Sequence, residues 1–348
     1  MSRTTTIKAL TTLSAISLLT ACGGGGGGGG GGTPAPATVP LTIDSSNMKA
    51  VAAAGAQVIF NSGHAGELVS STVVGVQTTS VAHSNIDAVD LVRFALHMLE
   101  NRAPAPVGQV VGTSIDATSP CDSGGTIRIT GNYSDPDTYN AGDKLTFTFQ
   151  NCVESGRTYN GALTLSIEQY AYTATTLTAS VAATFSSLKE MDNTGGNTLN
   201  GDLHVDLTEA TAYPYTVNSD ARFNQLITNT LTVSGAVVST ITLQNGHIVN
   251  SWNGSTGSGT YAVTETATGT WPGISGTLFI DTPVTIQYDD PLTVIPRAGS
   301  YTVGADKGSI RVDFTTGGAS NLTLNLKVDG SYELTIPLTW ADLGVVAP

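Results

Sequence analysis

His204 stands between Asp202 and Asp206 in the alternating run Leu203-His204-Val205-Asp206-Leu207, so an imidazole and two carboxylates share one face of a strand. Those are donor types for a metal ion or for acid–base work, and a solvated strand face is the plainer reading. The other histidines, His64, His83, His97 and His247, are scattered. His64 has Glu67 three residues on in a glycine-bearing loop, whereas His83 and His97 read as solvated flanks of a helix. The segment from Asp135 to Asp143 crowds three carboxylates and an amide into one turn. Calcium takes such oxygens, but the spacing is not that of an EF-hand, and a hairpin turn accounts for it. Tyr170 with Tyr172 and Tyr213 with Tyr215 are period-two pairs, and Trp252 and Trp271 lie beside glycine-rich turns. Such rings stack on sugars or fill a core. Gly-x-Ser-x-Gly, His-Glu-x-x-His and the P-loop are all absent. The expectation is a protein with no catalytic residues, no metal site and no cofactor.

Cysteine chemistry is more specific. The chain has three cysteines, Cys22, Cys121 and Cys152. Thr126 to Thr130 and Leu145 to Phe149 read as the arms of a hairpin turning near Pro136 to Gly142. Residues facing across it have numbers summing to about 275, and Cys121 with Cys152 sums to 273. A disulfide there staples the open end of the hairpin, contributing about 3–4 kcal/mol through chain entropy. A reactive or metal-binding pair lacks a nearby CxxC or histidine.

Cys22 has a different setting. Arg3 and Lys8 precede an apolar run from Ala9 to Leu19, the order of parts in an export signal and too short to cross a membrane. Leu19-Thr20-Ala21-Cys22 then resembles the lipobox of bacterial lipoproteins. The resemblance implies removal of residues 1–21, lipidation of Cys22, and residence in the cell envelope as a lipid-anchored protein. Gly23 is not the Asp that signals inner-membrane retention under the enteric sorting rule, which implies outer-membrane delivery, periplasmic or surface-exposed. Ten glycines, Gly23 to Gly32, and the Pro-rich segment to Pro40 come next. Neither builds a core, and together they reach about 25 Å or somewhat more.

Composition agrees with an envelope setting. Charged residues make up 12% and hydrophobic ones 40% of the chain, with Thr, Ser, Gly and Asn filling polar positions. A formal net charge of −13 excludes a nucleic-acid partner, which demands basic patches, and disfavours electrostatic docking on an anionic leaflet. Membrane contact is left to the lipid on Cys22.

The elements that hold these residues fall in order. Residues 22–44 form the tether and 45–112 a helical segment. Ser45-Ser46 caps an alanine-rich helix to about Phe60; Ser84 caps a second, whose Ile86, Val89, Val92, Leu96 and Leu99 make one apolar stripe. From 113 to 348 the period changes to two, as in Leu145-Thr146-Phe147-Thr148-Phe149 and Leu163-Thr164-Leu165-Ser166-Ile167. Asp135-Pro136-Asp137, Gly195-Gly196-Asn197, Asn245-Gly246, Gly317-Gly318 and Asp329-Gly330 read as turns. Asn160-Gly161 and Asn200-Gly201 each read as opening a strand, 40 residues apart. The fold class is therefore mainly β: an antiparallel meander or curved sheet, or a sandwich of long hairpins, with the two N-terminal α-helices packed on it.

The stretch from Cys121 to Gln169 also resembles recurring domains of uncharacterised β-rich proteobacterial lipoproteins in its Gly-Gly-Thr strand, Ala-Gly-Asp turn and Phe-x-Asn-Cys ending. That likeness implies location and fold class, with no activity or site. Two functions are expected on these grounds. The first is a non-enzymatic envelope lipoprotein with a structural or adhesion-like β domain; its protein, glycan or lipid partner is left open. The second is a carrier of a hydrophobic ligand in a curved-sheet cavity roofed by the helices, resembling periplasmic lipoprotein carriers.

Overall fold

A computed structural model describes residues 40–63, 88–100, 113–134, 138–154, 156–212, 214–289, 296–314, 322–328, 331–339 and 341–343. The chain divides into two compact units, Met1–Ala37 and Thr38–Pro348, and every described residue belongs to the second. Cys22, His64, His83, Tyr213, Asp135 to Asp137, Gly317-Gly318 and Asp329-Gly330 lie outside the described residues.

The second unit is mainly β. Two helices, α1 (Met48–Gly63) and α2 (Ala88–Glu100), precede fourteen strands in the chain. The strands are β1 (Thr113–Pro120), β2 (Thr126–Tyr133), β3 (Lys144–Glu154), β4 (Arg157–Tyr172), β5 (Thr176–Met191), β6 (Gly196–Ala210) and β7 (Thr216–Leu231). After them come β8 (Val237–Asn253), β9 (Ser258–Trp271), β10 (Ile274–Tyr288), β11 (Pro296–Gly304), β12 (Ser309–Phe314), β13 (Leu322–Val328) and β14 (Ser331–Leu338). All fourteen join one antiparallel sheet in sequence order, so of the expected architectures the meander is the one observed.

Adjacent cross-strand rows explain why the alternation specifies this register. Ile167, Val181, Val205, Ala221, Ile248 and Val263 face one another across β4 to β9 and are all buried. One residue along, Ala182, His204, Arg222, His247 and Thr264 make the next row across β5 to β9, and it points the other way. A one-residue slip would bury the polar row and expose the apolar one. Each large apolar side chain kept buried contributes about 1.5–3 kcal/mol to that choice.

The two Asn-Gly pairs sit inside β4 and β6 rather than opening them. They build bulges. Asn151 and Ser187 each hold φ near +48°, and the side-chain Oδ1 of Asn160 and Asn200 accepts their backbone N–H groups at 2.9 and 2.7 Å. Gly161 and Gly201 lie at φ of +105° and +129°, where a Cβ would stand 2.3 Å from the neighbouring carbonyl oxygen. Only glycine fits, and each device inserts an extra residue that bends the strand. Asn245-Gly246 likewise lies within β8, not at a turn.

Helix α1 begins three residues later than Ser45. Asn47 is its cap, its carbonyl accepting from Val51 N–H at 3.0 Å, while the Asp44 carboxylate takes the N–H and hydroxyl of Ser46. The helix touches every strand from β8 to β13. Sixteen residues span about 24 Å and six strands about the same, so the helix lies across the strands. Gly55 permits the close approach, because a Cβ there would be 2.3 Å from Val303 Cγ2, and Tyr301 donates its hydroxyl to the Ala52 carbonyl at 2.8 Å. Docking starts before the helix: Ile43 is buried and donates its N–H to Lys307 O at 2.8 Å. Leu41 and Ile43 therefore already belong to the folded unit. Helix α2 packs on β6, burying Val89, Val92, Leu96 and Leu99 of its expected stripe together with Ala95. Among the described residues no helix is long and apolar enough to cross a membrane.

Candidate functional site

The polar row continues where the apolar one is capped by helices. From β6 to β14 it reads His204, Arg222, His247, Thr264, Asp281, Thr302, Arg311, Asn325 and Thr335, one residue per strand. Its members are knitted to each other and to the row beside them. His204 Nε2 lies 3.2 Å from Glu168 Oε2 and 3.4 Å from Ser180 Oγ, and its Nδ1 is 4.0 Å from Asp206. Asp220 accepts from Arg222 Nη2 at 2.8 Å and pairs with His247 Nε2 at 3.0 Å. Thr264 donates to Asp281 at 2.9 Å, Arg311 Nε to Asp313 at 2.7 Å, and Thr335 to Asn325 at 2.7 Å.

Toward β8–β13 this face opens into a groove of about 490 Å³. Phe279 forms a wall with 52% of its surface exposed. Gly304 stands between Phe279 and Ser309 in the paired row and brings no side chain, which leaves the floor bare. Thr264, Asp281, Thr302, Arg311 and Lys327 supply hydroxyl, carboxylate and cationic groups around it. An exposed ring beside such groups offers stacking and hydrogen bonding to a polar partner.

Ser180, His204 and Asp206 carry the side-chain types of nucleophilic catalysis, but their bonds run otherwise. Ser180 gives its proton to Asp206 Oδ1 at 2.7 Å, and the imidazole edge nearest Ser180 is also held against Glu168. A nucleophile needs its hydroxyl aimed at a free base nitrogen. Asp202, expected beside His204, instead accepts from Thr184 at 2.8 Å.

Scanned against protein-family models, curated proteins and solved structures, the chain matches none.

Away from the groove, Cys121 and Cys152 form a disulfide with Cα atoms 5.4 Å apart, tying the β1–β2 loop to β3 at the hairpin's open end. Glu154, beside them, accepts from Asp122 N–H at 3.0 Å. Asp143 is buried and spends both oxygens on backbone N–H groups, of Ser134 and Asn140, each at 2.8 Å, so it clips the turn. Tyr170 packs edge-on against Tyr139, Trp252 stacks on Tyr288 at 5.7 Å, and Trp271 is buried; Tyr172 and Tyr215 are exposed.

His97 departs from expectation. It is half-buried on α2, with Nε2 3.2 Å from Glu209 Oε2, and Arg93 from the preceding turn reaches Glu209 Oε1 at 3.0 Å. Arg93 is only 2% exposed. Burial pushes the Glu209 carboxyl upward, yet the His97 hydrogen bond and the Arg93 charge outweigh it and hold the group below its ordinary range. Glu190 goes the other way, since burial dominates its pairing with Arg157 and raises it. Neither Arg93–Glu209 nor Glu168–His204 had a local signal, because the partners lie 116 and 36 residues apart.

Proposed function

We propose that this chain is a non-enzymatic lipoprotein of the bacterial envelope, anchored through Cys22, whose sheet serves a structural or adhesion-like interaction. The anchoring half rests on Leu19-Thr20-Ala21-Cys22 and the glycine run behind it. The interaction half is carried by one observation: nine strands contribute a continuous polar row on the face opposite the core, which opens over β8–β13 into an aromatic-walled groove. A broad, mutually braced polar surface with an exposed ring suits recognition of a protein or glycan. Non-enzymatic use is supported by the Ser180 hydroxyl being spent on Asp206.

A hydrophobic-ligand carrier, built on a curved sheet roofed by the helices, is the second reading. It draws on Ser219 and Tyr261, buried on the core face with side-chain oxygens that have no hydrogen-bond partner. Against it, α2 covers β6 with a solid apolar stripe, and the groove opens on the opposite face.

Metabolic labelling tests the anchor. Wild type is expected to incorporate palmitate and fractionate with membranes, and Cys22→Ser to lose both. Unchanged labelling and fractionation of Cys22→Ser would refute the reading.

A further inference from the structure

The strands alternate in direction and pair in sequence order, so loops after odd-numbered strands share one end of the sheet. At that end the β7–β8 tip is unlike the β5–β6 tip. Val233, Val237 and Val238 are 60%, 60% and 65% exposed, and no charged residue occurs from Leu231 to Ser239. The β5–β6 tip at the same end is Asp192-Asn193-Thr194-Gly195, fully polar.

The apolar tip also makes hydrogen bonds within itself. Thr232 N–H donates to Ala236 O at 2.9 Å, Gly235 N–H to Thr232 O at 2.8 Å, and Ala236 N–H to Thr232 Oγ1 at 3.1 Å. The Thr232 and Ser234 hydroxyls pair at 2.8 Å. Each polar group bonded within the loop is one fewer to strand when the tip leaves water. Lys189 brings its ammonium group beside Gly235, the position from which a lysine snorkels at a lipid boundary.

The chain enters the folded unit at the same end. Ile43 bonds to Lys307 and Leu41 N–H to Asp306, both in the β11–β12 loop. That loop is four strands from the β7–β8 tip, about 19 Å across the sheet. Eighteen residues of the Gly/Pro-rich composition of Gly23 to Pro40 would span about 25 Å as a flexible chain. A lipid on Cys22 would therefore hold this end within reach of its bilayer and give the tip a high effective concentration there.

The geometry points to the β7–β8 tip, Val233, Val237 and Val238, as a contact with the hydrocarbon boundary of the anchoring membrane. The orientation rests on the lipid-anchored reading; the insertion itself does not need the lipid. Because residues 231–239 carry no charge of their own, with the single Lys189 ammonium beside them, binding is chiefly apolar and persists on zwitterionic lipid and at raised salt.

The test uses unlipidated Cys22→Ser protein, whose remaining cysteines are joined, so one added cysteine is the only free thiol. A nitrobenzoxadiazole label at Val237→Cys is compared with one at Ala174→Cys, in the β4–β5 turn at the far end. With phosphatidylcholine vesicles, and with phosphatidylethanolamine–phosphatidylglycerol vesicles, the Val237 label is expected to blue-shift and brighten several-fold. The Ala174 label stays unchanged. Raising salt to about 0.5 M leaves the effect intact. Val233→Asp and Val238→Asp each reduce vesicle cosedimentation by about ten-fold or more. An unresponsive Val237 label overturns the proposal, as does cosedimentation that survives both substitutions. Dimers lost with Val233→Asp, with no vesicle effect, overturn it in favour of self-association. Palmitate on wild type reads the anchor separately, so either idea can fail while the other stands.

Discussion

A carboxylate, an arginine and a histidine meet twice on this sheet, once on each face. Under α2, Glu209 holds Arg93 and His97 at 3.0 and 3.2 Å; on the open face, Asp220 holds Arg222 and His247 at 2.8 and 3.0 Å. The distances are nearly equal and the surroundings are not. Arg93 and Glu209 are buried, whereas Arg222 is more than half exposed. Water screens the open trio, so its members can exchange partners cheaply and remain available to an incoming surface. Burial makes the Arg93–Glu209 pair an all-or-none clamp, since removing either partner strands the other away from solvent.

The two trios are expected to differ most in Arg93→Ala. It leaves Glu209 buried without its main countercharge and is expected to cost about 3–5 kcal/mol in urea unfolding. Leu96→Ala empties part of the stripe beside that clamp and is expected to cost about 2–5 kcal/mol if the space under α2 is solid. A markedly smaller loss there would indicate a yielding, cavity-like interior. Asp220→Asn on the open face is expected to cost only about 0–1 kcal/mol, with unchanged unfolding cooperativity.

Acid sharpens the contrast. Glu209 has a folded-state pKa below its unfolded value, so its contribution is present above the usual glutamate range and is lost as pH falls through the folded value. Asp342, which Lys49 and Thr339 hold down to about 2, behaves the same way at the α1 end, between about pH 4 and 2. Glu190 runs opposite: its raised carboxyl favours the fold as pH drops. Hydrogen exchange at graded pH is expected to show protection of α2 failing on the acid side in wild type. In Glu209→Gln that acid step is expected to shrink.

How far these arrangements could be read ahead of the structure depends on range. The α2 stripe and the alternating strands were legible because periodicity is local: Val89, Val92, Leu96 and Leu99 are buried as their spacing requires. The disulfide was legible because one hairpin's register reaches both cysteines, the paired residues of β2 and β3 summing to 276. Asn160-Gly161 and Asn200-Gly201, read as strand openings, and Asn245-Gly246, read as a turn, lie inside strands, since the backbone freedom that ends or turns a strand also makes a bulge. Arg93 was hidden because a charge within an apolar helix face makes sense only once Glu209 is opposite. The polar row was invisible as a row, because each strand contributes one residue. The Phe279 groove depends on Gly304, a neighbour only through β10–β11 pairing.

The proposed division of labour between the two faces, solid core under the helices and interaction surface opposite, is tested most directly by what the protein carries. Mass spectrometry of organic extracts from purified Cys22→Ser protein is predicted to find no lipid at a stoichiometric level. One lipid per chain, displaced when Leu96→Ala is introduced, would contradict the account and make the space beneath α2 the working site.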